Sequence, residues 1–121
     1  MQNNFIPYVI QSKAISLNPI GVSGDAFSYP DTITLLSFCK DNNIAILGGD
    51  VLAINNDKIS YTYDNWYINT EKYSSYSELV KESYNISLNY LINILQEAQN
   101  LYYHLVFCIN EEEFNKLKRQ S

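Results

Sequence analysis

Basic residues are scarce in this sequence: Lys and Arg number 8 against 13 Asp and Glu, for a formal net charge of −5. A protein that grips a phosphate backbone needs clustered Lys and Arg. The one basic cluster, Lys116, Lys118 and Arg119, follows Glu111-Glu112-Glu113 and reads as the solvated end of a helix. Nucleic acid is therefore excluded as the expected partner. Histidine is down to one, His104, and cysteine to two, Cys39 and Cys108, with no C-x-x-C. That set has no zinc-ligand spacing, and both cysteines sit among apolar neighbours, as buried free thiols do. No apolar run approaches the roughly 20 residues that span a bilayer, so no membrane role is expected. Met1-Gln2-Asn3-Asn4-Phe5-Ile6-Pro7 has neither a basic n-region nor a long apolar h-region. The expected location is the reducing cytoplasm. Linkers, repeats and low-complexity stretches are also missing, so residues 1–121 are expected to form a single domain.

What is present suits a globular protein, with 46% hydrophobic and 17% charged residues. Tyrosine stands out, with 11 against 5 Phe and 1 Trp. Tyrosine gives stiff contact area with a polar tip, which suits interfaces. The chain is also rich in Asn, Ile and Ser, as AT-rich coding sequences are, so base composition is a second explanation. The acidic balance favours a basic protein partner through complementary fields.

Along the chain, Phe5 to Ile10 reads as a short strand interrupted by Pro7, an edge feature. Asn18-Pro19-Ile20-Gly21 reads as a turn, and Gly24-Asp25 as a continuing loop. Pro30 begins a helix that Asp41-Asn42-Asn43 ends. Ile44 to Leu47 suits a buried strand, broken by Gly48-Gly49 and resumed from Val51 to Ile54. Asn55-Asn56-Asp57-Lys58 then reads as a four-residue hairpin loop leading to a strand from Ile59. Ser75 and Glu78 form a capping box for a long amphipathic helix, Tyr76 to Ala98. Its second half is apolar over a wide arc and is expected to lie deep against a sheet. Tyr102 to Ile109 reads as a strand, and Asn110 with Glu113 as a second helix start. This order predicts an α+β fold: a largely antiparallel sheet with a central hairpin, and helices, one of them long, packed on one face.

Few constellations here can carry chemistry. Gly48-Gly49-Asp50 lacks the further glycines and the following helix of a phosphate cradle. A bulge or tight turn, with Asp50 bonding local N–H groups, explains it structurally. The alternative, a small hydrolase or ligand-binding domain, would use Asp50, Asp64 and His104, but no metal-ligand spacing and no G-x-S-x-G accompany them. Trp66 admits two readings, a core anchor or an interface hot spot. Alternation from Ile59 puts Tyr61 and Tyr63 on the inward face and Asp64 outward.

The run Ile46-Leu47-Gly48-Gly49-Asp50-Val51, then Ile59, then Tyr63-Asp64-Asn65-Trp66-Tyr67, resembles the Immunity protein 40 family of bacterial polymorphic toxin systems. Ser83, near the start of the long helix, matches a serine of that family, and Ile20-Gly21-Val22 and the helix from Pro30 fit its layout. The resemblance spans roughly residues 15 to 110, and its specific motifs are Gly48–Asp50 and Asp64–Tyr67. It implies a protein that binds and blocks a cognate toxin, with no catalytic residues and no cofactor. Asp50, Asp64, Trp66 and Tyr67 are then the candidate partner contacts.

Overall fold

Helix boundaries follow from side chains that satisfy the first N–H and last C=O groups. In the computed structural model, which describes residues 5–93 and 100–119, Ser28 accepts from the Asp31 N–H at 3.4 Å and starts α2, Tyr29–Asp41. At its other end Asn43 adopts φ 61, and the Ile44 and Asn43 N–H groups close on Cys39 O and Lys40 O. That is a Schellman termination with asparagine in the usual glycine place. The long helix α3, Tyr76–Asn93, starts with Ser75 accepting from the Glu78 N–H at 3.2 Å, while Glu78 accepts from the Ser74 N–H at 3.4 Å. The last helix, α4, Glu111–Arg119, repeats the device with Asn110 and Glu113. The expected continuation of α3 to Ala98 lies outside the described residues.

The strands are β1, Ile15–Ser16; β2, Asp25–Ser28; β3, Ala45–Asn55; β4, Lys58–Tyr67; and β5, Leu101–Cys108. They form one five-stranded antiparallel sheet in the order β1-β2-β5-β3-β4. The fold is thus α+β, with helices packed against the sheet. The main core gathers Leu35, Leu36 and Cys39 of α2, Leu79 and Leu91 of α3, and Phe114 of α4 around Ile46, Val51, Tyr103 and Leu105. On the opposite face, Leu17, Ala26 and Leu52 form a second, smaller core, with Ile20, Val22, Ile59 and Tyr102 packed on it.

Several expectations are corrected. Phe5 to Ile10 is not a strand: a single helical turn, α1, runs Tyr8–Gln11, with Pro7 O accepting from Ile10 and Gln11. Ile10 of this turn and Ile6 just before it are both buried in the main core, so tertiary packing overrides the local β propensity. Asp25 is not loop but the first residue of β2, which pairs with β5 through Phe27↔Tyr103. Gly48-Gly49 does not break the strand; β3 runs through it with a register shift between Ile46 and Gly48. The hairpin loop is two residues, not four: Asn55 pairs with Lys58, and Asn56 and Asp57 take φ 51 and 67. Both central residues at positive φ match the twist of the flanking strands. The second half of α3 is less deeply covered than expected: Leu91 is buried, but Ile92 is exposed.

Candidate functional site

The motif stretch contains two irregularities, one in β3 and one in β4. The first is the bulge at Leu47, between Ile46 and Gly48. Just before it, where β4 no longer pairs with β3, backbone donors need other partners, and α3 supplies them. The Ser83 hydroxyl accepts from Ile46 N–H at 3.1 Å and donates to Val80 O at 3.2 Å. The Tyr76 hydroxyl accepts from Ala45 N–H at 3.2 Å and lies 2.8 Å from Asn43 O and 2.7 Å from Cys108 O. With one proton it donates to one of those carbonyls at a time. Burial drives its ionisation above the usual tyrosine range, with the Ala45 N–H opposing. Ser83 and Ser87 are the polar residues fully buried on α3.

Ser87 serves the next residue of the motif. It accepts from the indole N–H of Trp66 at 3.0 Å, and Tyr90 lies over the indole with centroids 4.6 Å apart. Gly49 pairs directly with Trp66 across β3 and β4. A Cβ at Gly49 would come within 2.5 Å of the indole and 2.8 Å of His104 O. At Gly48, φ +151 and the Trp66 carbonyl together leave no room for a side chain. The glycine pair is therefore a seat for Trp66, and the indole is a structural anchor at 8% exposure.

The second irregularity falls between Asp50 and Leu52. Asp50 pairs with Asn65 and Leu52 with Tyr61, so Val51 faces three residues of β4, Thr62 to Asp64. Thr62 Oγ1 spans the bulge, donating to Val51 O at 2.8 Å and accepting from Asp64 N–H at 3.1 Å. Tyr63 sits at its apex with φ 69, a left-handed conformation rare for an aromatic residue. Three residues against one is two extra, which keeps β4 in phase: Tyr61, Asn65 and Tyr67 share the Leu52 face, away from the main core, so Tyr61 and Tyr63 do not pack inward as expected. They are 45% and 86% exposed.

The candidate residues are consequently dispersed. Asp50 is half-buried and pairs with both Asn65 and His104, on the face away from Trp66. No hydrogen bond joins its carboxylate to nearby N–H groups among the described residues, contrary to the local capping expected of it. His104 is held by Asp25 O at 2.9 Å from Nδ1 and abuts Gly24. Asp64 falls on the Trp66 side of β4; its charge, second to burial, raises the Tyr90 hydroxyl pKa. Tyr67 is 78% exposed. Asp50 and His104 are thus brought together and Asp64 is not, so the geometry does not assemble the three-residue hydrolase site. Among the described residues no group of three or more His, Cys, Asp and Glu is placed to hold a metal. Cys39 and Cys108 are free and buried, and burial pushes their thiols up to about 12 and about 11. Among the described residues no helix is long and apolar enough to cross a membrane.

Fold and site together define a small α+β protein whose sheet is covered by helices on one side and only partly covered on the other. The chain belongs to the Immunity protein 40 family, whose model matches residues 16–107. Family membership implies a toxin partner and its neutralisation. No curated protein and no solved structure gives a significant match. Sequence reasoning missed Ser87 and Tyr76 as supports of the motif. Their signal was their spacing from Ser83 on one helical face, at which polar tips sit in an otherwise apolar stripe.

Proposed function

We propose that this chain neutralises a toxin protein by binding it one to one and occluding the surface it acts with, without catalysis and without a cofactor. The observation that carries the proposal is the match to an immunity family over most of the chain. The chain's charge of −5 supports a partner of basic character and disfavours nucleic acid as a competitor. A specific complex of this kind buries about 800 Å² per partner. Asp50, Asp64 and Tyr67 are the proposed direct contacts, and Trp66 supports them from beneath by seating β4. The whole chain acts as one domain in the cytoplasm, where it meets the toxin.

Co-expression with the toxin encoded by the adjacent gene tests this. Growth is restored and the two proteins co-purify in equal amounts if the proposal is right. A chain that neither rescues growth nor forms a complex with the adjacent product overturns it.

A further inference from the structure

Three rows of side chains stand on the sheet face opposite the main core. Val106 and Tyr67 flank Gly48, His104 and Asn65 flank Asp50, and Tyr102 and Tyr61 flank Leu52. The Leu52 row is covered at one end by the segment around Leu17 and Ile20. Among the described residues nothing covers the Gly48 row: Val106 is 45% and Tyr67 78% exposed. At the rim, Tyr63 projects from its bulge with its ring 6.2 Å from that of Tyr61. An uncovered face with aromatic side chains is the kind of surface that marks an interaction site.

Two independent observations say what docks there. One is charge. All of β3 and β5, and β4 beyond Lys58, contain no lysine or arginine, while Asp50 lies on the open face. Among the described residues the recorded ion pair, Lys13–Asp31, is elsewhere. A cationic protein surface complements that carboxylate, and its guanidinium or ammonium groups also find the faces of the tyrosine rings. The other is strain. Tyr63 holds φ 69 although glycine or asparagine would adopt it with less strain, and the Thr62 hydroxyl fixes the turn on both sides. A strained conformation kept at an exposed aromatic points to use of that side chain. The same bulge bends the free edge of β4, which blunts edge-to-edge pairing with a second copy.

We infer that the open face of β3, β4 and β5, with Tyr63 as its rim anchor and Tyr61, Tyr67 and Asp50 beside it, is where the chain receives a cationic surface of its toxin. This rests on the toxin-binding function proposed above and adds the location and chemistry of the contact.

The test is the dissociation constant of the full chain for the toxin domain encoded by the adjacent gene, measured by calorimetry. The variants are Tyr63→Gly, Tyr63→Asn and Tyr67→Ala, with Tyr8→Ala as an exposed control on α1. Tyr63→Gly and Tyr63→Asn relieve the backbone and are expected to leave the thermal midpoint equal or higher. Both are expected to weaken binding at least tenfold, as is Tyr67→Ala, whereas Tyr8→Ala binds like the wild type. Asp50→Asn is expected to weaken binding and flatten its dependence on salt. If the wild type binds while the Tyr63 and Tyr67 variants stay within twofold of it, the face is wrong and the toxin-binding function stands. If the wild type forms no complex, both fall. Self-association that the Tyr63 variants abolish would assign the face to a second copy and overturn the inference.

Discussion

Trp66 decides whether the motif stretch is scaffold or contact, and its removal has a size that can be worked out. The indole is nine-tenths buried, lies against Tyr90 and donates to Ser87 at 3.0 Å. Truncating a buried tryptophan to alanine destabilises by about 3–5 kcal/mol, which includes the loss of an aromatic contact of about 0.5–1.5 kcal/mol. Domains of this size are stable by about 5–15 kcal/mol, so Trp66→Ala removes a large fraction of the total. Trp66→Phe keeps a ring over Tyr90 and loses the hydrogen bond, for about 1–2 kcal/mol. A double-mutant cycle of Trp66→Phe with Ser87→Ala isolates the hydrogen bond, with an expected coupling of about 0.5–1.5 kcal/mol. Urea unfolding is followed by far-UV circular dichroism, because the only tryptophan is the one removed. A loss below about 1 kcal/mol for Trp66→Ala would refute the anchor assignment. Loss of toxin binding with full stability would make Trp66 a contact instead.

Three further outcomes are expected. Tyr76→Phe and Ser83→Ala each strand a buried backbone N–H of β3, Ala45 or Ile46, and lower stability by about 1–3 kcal/mol in the same unfolding assay. Wild-type stability in Ser83→Ala would show that the bulge satisfies Ile46 by other means. Cys39 and Cys108 should resist a thiol reagent at neutral pH in the native protein and react fully in denaturant; rapid native labelling would contradict their burial. Stability should fall as pH rises above 9.0, where unfolded cysteines begin to lose their protons while burial holds Cys39 to about 12 and Cys108 to about 11. Tyr103, also raised to about 12 by burial, extends the same fall. All three groups are protonated in both states below that window, so they make no slope at neutral pH; a thermal midpoint that rose between about pH 9 and 11 would have the wrong sign.

The elements legible in the sequence were those whose cause is local. Ser75 with Glu78 and Asn110 with Glu113 place helix starts because a side chain and an N–H three residues away meet in any context. The hairpin around Asn56-Asp57 is legible for the same reason, although its length was misread because asparagine and aspartate at positive φ do not announce a two-residue turn as glycine does. The motif stretch was legible as a family label. Its acidic balance, its lack of basic strands and its single tryptophan are sequence facts that no fold alters.

Tertiary structure alone decided the direction of the side chains. Strand alternation puts Tyr61 and Tyr63 together but does not say which face the helices cover; they cover the Trp66 face, and Tyr61 and Tyr63 turn from expected core to exposed surface. Asp25 to Ser28 carries little β propensity and becomes a strand because β5 offers it an edge. Tyr8 to Ile10 carries much and becomes part of a helical turn because the core takes Ile10 together with Ile6 just before it. Ser83 and Ser87 are buried because a β3 backbone N–H and an indole N–H, distant in sequence, need an acceptor. Sequence sets what each segment can do locally. The assembled sheet decides which donors are left over, and those leftovers determine which residues of the motif hold the fold and which reach solvent.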